Sequence, residues 1–330
     1  MSGDGTRVVH ILDPVSDGRA RRLPTPRALY DRWERQQWSI AETRVARDRP
    51  VWEALRPFAR GALMEALSEL EVGEVAVTRT LSTLVTHAPG DADRTFLSTQ
   101  VADEARHAQF FQDYLRHAAG RDDAARERDE EESAYGRLFE PRLRASVRAV
   151  EDSGGDRAAW HVAVIDYHLL TEGVLAAAAL HGTRRLARRS GMAALGEGLD
   201  NVVRDESRHF TYGLAVTRDA VDRGLAGLVA DTYVQGCRLM ARVLVNPGRR
   251  AVAPVIGSAL LQRARLTRAQ WDAAEERALR QLRLIGLQDR RAQVAAAWGE
   301  GRAAALAEYE DIWKAPHPVA VLAAAPPDPA

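Results

Sequence analysis

The sequence predicts an all-α fold, and three observations carry that prediction. From about Arg27 onward Ala, Leu, Arg and Glu dominate, with apolar residues recurring at i, i+3, i+4 and i+7, the period of an amphipathic helix. Strand-like alternation is almost absent from the 330 residues. Turn-forming residues gather in short clusters, at Ala88-Pro89-Gly90-Asp91, Gly120-Arg121-Asp122, Ser153-Gly154-Gly155-Asp156, Ser190-Gly191 and Asn246-Pro247-Gly248.

Those breaks delimit long helices expected near 59–87, 92–119, 122–152, 157–189, 192–223 and 225–245. Residues 1–25 carry no sustained pattern and are expected to be loosely ordered or disordered. The run Arg126 to Glu132 (RERDEEE) reads as the solvated face of the third helix. After Arg265, LTRAQWDAAEERALRQLRLIGL and the stretch to Trp313 predict a helical pair packed outside the bundle. A single domain over 26–315 is expected, followed by a disordered tail over 316–330 that ends in VLAAAPPDPA.

Composition narrows the function. Hydrophobic content of 46% supports a sizeable core, and 46 basic against 46 acidic side chains leave no electrostatic footprint for nucleic acid. Cys237 is the lone cysteine, so intrachain disulfides and thiolate zinc sites are excluded, and a reducing cytoplasm fits. The opening MSGDGTRVVHILDPVSDG lacks the basic-then-apolar pattern of a leader, and no apolar run is read as a membrane span. Glycine-rich phosphate loops, dinucleotide fingerprints and nucleophile elbows are absent, so no nucleotide cofactor has sequence support.

The chemistry is written in a motif that occurs twice: Asp103-Glu104-Ala105-Arg106-His107 and Asp205-Glu206-Ser207-Arg208-His209. Residues i and i+3 of a helix share a face, so each copy aims one carboxylate and one imidazole in the same direction. Two such helices plus two helices carrying single glutamates are the bundle recipe for a carboxylate-bridged dinuclear metal centre. Upstream of the first copy, Glu74 is in phase with Leu67, Leu70, Val77 and Leu81; upstream of the second, Glu172 shares a face with Ile165, Leu169, Ala176 and Ala179. The order Glu74, Glu104/His107, Glu172, Glu206/His209 reads as a duplicated helical hairpin, with intervals of thirty and thirty-four residues between paired glutamates. Glu71 lies within one turn of Glu74 and remains the alternative for the first position. One Glu-x-x-His is common on solvated helix faces, but two copies of the longer pattern, each with an upstream glutamate on an apolar face, are far harder to obtain by chance.

At these residues the sequence resembles the ferritin-like superfamily, and within it the ribonucleotide reductase small-subunit-like branch. VGEVAVT, FLSTQVADEARHAQFF, YHLLTEGVLA and VVRDESRHFTYG are similar to the ligand helices of that branch's ligand-binding oxidases, and LYDRWERQQW with the following Asp-Arg and Trp52 to its N-terminal region. The resemblance spans roughly residues 27–245. It implies a ferritin-like bundle with additional flanking helices, manganese in the first site and iron in the second or two irons, reduction of dioxygen, and an apolar channel for a fatty-acid-like ligand. It further implies that Asp103 and Asp205 orient the ligand histidines, and that Val77 and Tyr167 join in a self-generated ether cross-link. A homodimer is expected, and no electron-donor site is visible.

The chain also departs from its relatives. The position of the reductase's radical tyrosine is Phe111, and the tail has no tyrosine to relay a radical, which disfavours a tyrosyl-radical role. Arylamine oxygenases add a histidine where this chain has Val202, and the thirty-residue first interval is slightly short for the oxidase branch. The leading expectation is an oxidase or oxygenase that acts on C–H bonds of an apolar ligand. The alternatives are a diiron oxygenase of a small-molecule biosynthetic substrate, a tyrosine-free reductase subunit and a non-catalytic metal-binding bundle.

Overall fold

The computed structural model describes residues 7–12, 22–122, 134–249 and 258–324, and no strand occurs among them. The charge run at 126–132 lies outside the described residues. The main helices are α1 (Pro26–Arg35), α2 (Pro57–Thr86), α3 (Asp91–His117), α4 (Glu140–Asp152), α5 (Arg157–Arg189), α6 (Ala193–Ala220), α7 (Ala226–Val245), α8 (Ser258–Leu284), α9 (Arg291–Trp313) and α10 (Pro318–Ala324). Three short helical turns between Ile40 and Ala54 link α1 to α2.

Local chemistry sets several ends. Thr25 caps α1 by accepting from Ala28 N at 3.3 Å, and Pro26 follows at the first helical position. In α3 Asp91 and Asp93 stand in the first turn and Arg116 and His117 in the last, each sign matching the helix dipole. The cap of α6 comes from far away: buried Asp48 accepts from Ala194 N at 3.0 Å and from Leu195 N at 2.9 Å. That contact anchors α6 on the α1–α2 connection.

Helices α2 and α3 form one hairpin, α5 and α6 the other, and the two pack around a continuous core that includes Leu67, Leu81, Phe96, Phe111, Leu169 and Leu199. Helix α5 is long and apolar enough to cross a membrane by length and composition, with mean hydropathy 1.4 over 18 residues, of which 72% are buried within the protein. Most of its apolar surface is packed within the bundle.

The middle of α5 is not α-helical. Ile165–Ala176 forms twelve residues of π-helix. On an α-helix, positions five apart point about 140° away from each other at 100° per residue. In a π-helix i bonds to i+5, so Tyr167 and Glu172 stack on one face. Three side chains support the wide turns. Thr171 Oγ1 donates to Asp166 O at 3.0 Å, and Gln281 Nε2 of α8 donates to Leu169 O at 3.2 Å and Gly173 O at 3.1 Å. Tyr233 of α7 in turn donates to Gln281 Oε1 at 2.9 Å. Gly173 is what admits this approach, because a Cβ there would lie 2.7 Å from Gln281 Nε2 and 2.5 Å from the Phe210 ring.

The flanking regions are more integrated than the sequence suggested. Helix α8 was expected outside the bundle, yet Ala278, Gln281 and Leu282 are buried against it, because Gln281 serves the π segment. The expected unstructured tail is corrected over α10, where Val319 is buried in a small second core with Val245, Trp271 and Ala305. His317, just before α10, packs between Trp271 and Tyr309 at 5.2 and 4.8 Å. Residues 325–330 of that tail lie outside the described residues. At the other end, Val9 N donates to Thr211 Oγ1 at 2.8 Å, Ile11 N donates to Ser207 Oγ at 3.1 Å, and Ile11 is buried. Residues 7–12 are therefore docked on α6, which corrects the expectation of a loose segment there; 1–6 and 13–21 lie outside the described residues.

Candidate metal centre

Each hairpin delivers its glutamate and its Glu-x-x-His pair to the middle of the bundle. Donor atoms of Glu74, Glu104, His107 and Glu206 lie within 4.8 Å of one another, as do those of Glu104, Glu172 and His209, and all six residues are buried. His107 Nδ1 stands 3.2 Å from Glu104 Oε2, 3.3 Å from Glu206 Oε1 and 3.7 Å from Glu74 Oε2. His209 Nδ1 stands 3.1 Å from Glu104 Oε1, 3.6 Å from Glu206 Oε1 and 3.9 Å from Glu172 Oε1. Glu104 thus offers one oxygen to each imidazole and Glu206 reaches both, while Glu74 and Glu172 close opposite ends. The alternative first glutamate, Glu71, is also buried but turns to the guanidinium of Arg121.

Electrostatics describe a site overloaded with acid. Burial, reinforced by the charge of Glu104, pushes Glu74 well above the ordinary glutamate range, and burial with the charge of Glu206 does the same to Glu172. Burial also acts on Glu104, but the nearby His209 and His107 outweigh it and hold that carboxyl well below its usual value. Both histidines are raised against the effect of burial, His107 chiefly by its bonds to Asp205 and Glu104 and His209 chiefly by Glu104 and Asp103. Glu172 Oε2 and Glu206 Oε2 are buried without a hydrogen-bond donor. A dry cluster of carboxylates with unpaired oxygens is costly unless cations compensate it. Four carboxylates and two imidazoles are hard-to-borderline donors that suit iron and manganese. The residues present therefore fit a pair of divalent metal ions.

Around the cluster, the two motifs support each other crosswise. His209 Nε2 meets Asp103 Oδ2 at 3.1 Å and His107 Nε2 meets Asp205 Oδ2 at 3.3 Å, so each aspartate serves the histidine of the other copy. Trp33 Nε1 donates to Asp103 Oδ1 at 3.0 Å and Trp38 Nε1 to Asp205 Oδ2 at 2.7 Å. Arg208, fully buried, donates through Nη2 to Asp103 Oδ2 at 2.9 Å and Asp205 Oδ1 at 2.7 Å. Its counterpart Arg106 sits nearer the surface with its guanidinium 5.4 Å from the Trp38 ring. Although burial opposes it, the bond to His107 and the charge of Arg208 hold Asp205 well below the usual aspartate range.

A cavity of about 140 Å³ opens beside the cluster, lined by Glu74, Glu104, Glu172 and Glu206 and by apolar side chains that include Leu70, Leu175 and Ala176. Val77 and Tyr167 both line it. The Tyr167 hydroxyl donates to Glu104 Oε1 at 2.8 Å, and burial with the charge of Glu104 pushes the phenol well above its ordinary value, so it keeps its proton. Phe111 is buried against Phe110, and Val202 is buried in the core.

Sequence reasoning missed Trp33, Trp38, Gln100, His168 and Gln281. The repeated arginine of the motif was a signal for Arg208; Trp33, Trp38, Gln100 and His168 lie inside the segments that carry the resemblance without being singled out there, and Gln281 lies outside those segments.

The fold is similar to that of known proteins. The chain is similar to the R2-like ligand-binding oxidase from Sulfolobus acidocaldarius, with 22% identity over 76% of this chain and 90% of that one and a TM-score of 0.59. It is also similar to a variant R2-like ligand-binding oxidase with an aerobically reconstituted Mn/Fe cofactor, at 16% identity, 84% and 92% coverage and a TM-score of 0.58. The shared architecture is the ferritin-like helical bundle with flanking helices. The family model for the ribonucleotide reductase small chain matches residues 22–224, which include all six clustered glutamates and histidines, and the chain belongs to that family.

Proposed function

We propose that this protein is a dioxygen-dependent oxidase or oxygenase whose dinuclear metal centre is held by Glu74, Glu104, His107, Glu172, Glu206 and His209. The observation that supports it best is the convergence of two Glu-x-x-His helices and two further glutamates on one buried cluster beside an apolar cavity. Manganese with iron, or two irons, suits the donor set, and similar proteins carry Mn/Fe cofactors. When bound, such a pair supplies activation of dioxygen and the electrons for its reduction.

The chain supplies the rest. Asp103 and Asp205 hold the outer nitrogens of His209 and His107, which aims each inner nitrogen at the cluster. The apolar wall excludes water and receives the group to be oxidised. Tyr167 keeps its proton until the phenol is oxidised, and the 2.8 Å contact then offers Glu104 Oε1 as the acceptor for that proton. Loss of one hydrogen from Val77 Cβ and one from the Tyr167 hydroxyl, with dioxygen accepting both electrons and both protons, joins the two residues as an ether. Metal analysis with oxygen consumption of the ferrous-loaded protein tests the reading: a stoichiometric oxidised pair supports it, and progressive formation of ferric mineral sinks it. Peptide mapping after metallation in air tests the ether, since linked Val77 and Tyr167 peptides should appear only with oxygen.

A second reading concerns the substrate. A cavity of about 140 Å³ is close to the roughly 150 Å³ that accepts benzene in an engineered apolar site. The cavity is not closed, so a small ring or short aliphatic group would fit within it whole, while a longer acyl chain would have to extend beyond it. Mass spectrometry of organic extracts from the purified protein decides between them.

A further inference from the structure

One buried polar pair next to the cluster has no part in the reading above: Gln100 on α3 and His168 in the π segment. Gln100 is wholly buried. Its Nε2 lies 2.7 Å from Glu172 Oε1, 3.1 Å from the Tyr167 oxygen and 3.2 Å from Glu104 Oε1, and its Oε1 lies 3.0 Å from His168 Nε2. An amide nitrogen only donates, so the phenol oxygen is the acceptor in their 3.1 Å contact, with the two N–H bonds shared among the three oxygens. The single phenol hydrogen is then left for Glu104 Oε1, 2.8 Å away. One lone pair of the phenol oxygen stays free.

Nothing in Gln100 itself enforces that orientation. A flipped amide would set its carbonyl against Glu172 and Glu104, which disfavours the flip, and the tautomer of neutral His168 that carries its hydrogen on Nε2 then donates to Oε1 and holds the amide in that orientation. The placement of His168 has its own device. A Cβ at Gly213 would lie 2.2 Å from His168 Cβ, so α6 and α5 approach there only because position 213 is glycine. The imidazole is packed between Tyr167 and Tyr212, with ring centroids 4.5 and 5.4 Å away. Burial, aided by the charge of His209, pushes His168 down to about 3, so it remains neutral at ordinary pH.

We propose that Gln100, oriented by His168, is a positioning residue that aims the Tyr167 hydrogen at Glu104 and keeps a donor on the phenol oxygen as that hydrogen leaves. This rests on the reading of Tyr167 as a group oxidised at the centre. In that step the Tyr167 O–H and Val77 Cβ–H bonds break and a C–O bond forms. The phenol proton moves first to Glu104, and dioxygen accepts the two electrons and, finally, both protons.

The test uses full-length protein labelled with tyrosine carrying ¹³C at the phenol carbon, with the Tyr167 resonance identified by its loss in Tyr167→Phe. In metal-free protein Gln100→Leu and His168→Leu should move that resonance, His168→Gln should restore it by keeping an N–H donor, and Gly213→Ala should move it without touching Gln100. In metallated protein exposed to air, the variants that move the resonance should lower the yield of linked Val77 and Tyr167 peptides at least tenfold, with metal content unchanged. An unmoved resonance in both leucine variants overturns the proposal, and so does a full cross-link yield in Gln100→Leu. Equal loss of metal in all variants, His168→Gln included, also overturns it, because that is the mark of a purely structural role. Wild-type protein that forms no cross-link removes the functional reading instead, and the resonance alone then decides the role of Gln100.

Discussion

Glu71 and Glu74 stand one turn apart on α2, both buried, and only Glu74 faces the imidazoles. Glu74→Gln should abolish oxidation of bound Fe(II), measured by stopped-flow absorbance, whereas Glu71→Gln should leave that oxidation largely intact and cost stability by removing the negative charge that faces Arg121. The reverse result would move the first ligand by a turn. The crossed aspartates make a second prediction at this scale. Asp205→Asn should weaken binding at the His107 side and Asp103→Asn at the His209 side, each by about 10- to 100-fold, the usual cost of losing a partner behind a metal ligand. Isothermal titration of each variant with Mn(II) and Fe(II) checks it, and equal affinities for variant and wild type would show that the crossed contacts do not tune the ligands.

Among the elements, α5 depends most on remote partners, because its π segment brings Tyr167 and Glu172 to one face and is supported by helices from distant sequence. Gln281 holds two of its carbonyls, and Gly173 leaves the space. Gly173→Ala forces a methyl into Phe210 and Gln281, and overpacking of this kind costs about 1 to 3 kcal/mol. Denaturant unfolding should show that loss. The more telling readout is metal stoichiometry: if the π turns relax, Glu172 leaves the cluster and the protein should bind one ion per chain in place of two. A variant destabilised to that degree with two ions still bound would separate the π geometry from ligand placement.

For the molecule as a whole, the cluster couples folding, metal and pH. Burial and mutual repulsion raise Glu74 and Glu172, while their carboxylate neighbours raise His107 and His209. All four therefore hold protons to higher pH in the metal-free protein than free side chains do, and metal binding must displace them. Affinity should rise with pH across the range in which those protons are lost, with proton release detectable in a weakly buffered titration. Metal should also raise the unfolding temperature in proportion to the logarithm of its concentration above Kd. Glu104→Ala and His209→Ala should lose most of the bound metal and with it this thermal shift; an unchanged metal content in both would remove the cluster as the binding site.

What the sequence determined is what depends on near neighbours along the chain. Helix class and breaks follow from periodicity and from Pro and Gly, and the pairs Glu104/His107 and Glu206/His209 follow from i, i+3 spacing, which any α-helix turns into a shared face. The duplication of Asp-Glu-x-Arg-His made the cluster legible before any coordinate. Tertiary structure decided what depends on remote partners. It separated Glu74 from Glu71 by bringing up Arg121, crossed the aspartates between motifs, and turned part of α5 into a π-helix that α-periodicity cannot register. It also docked 7–12 on α6 through Ser207 and Thr211 and recruited Gln281 from a helix outside the matched family region. Each of these is a contact between side chains far apart in sequence, whose free energy depends on the assembled bundle and leaves no periodic trace in the chain.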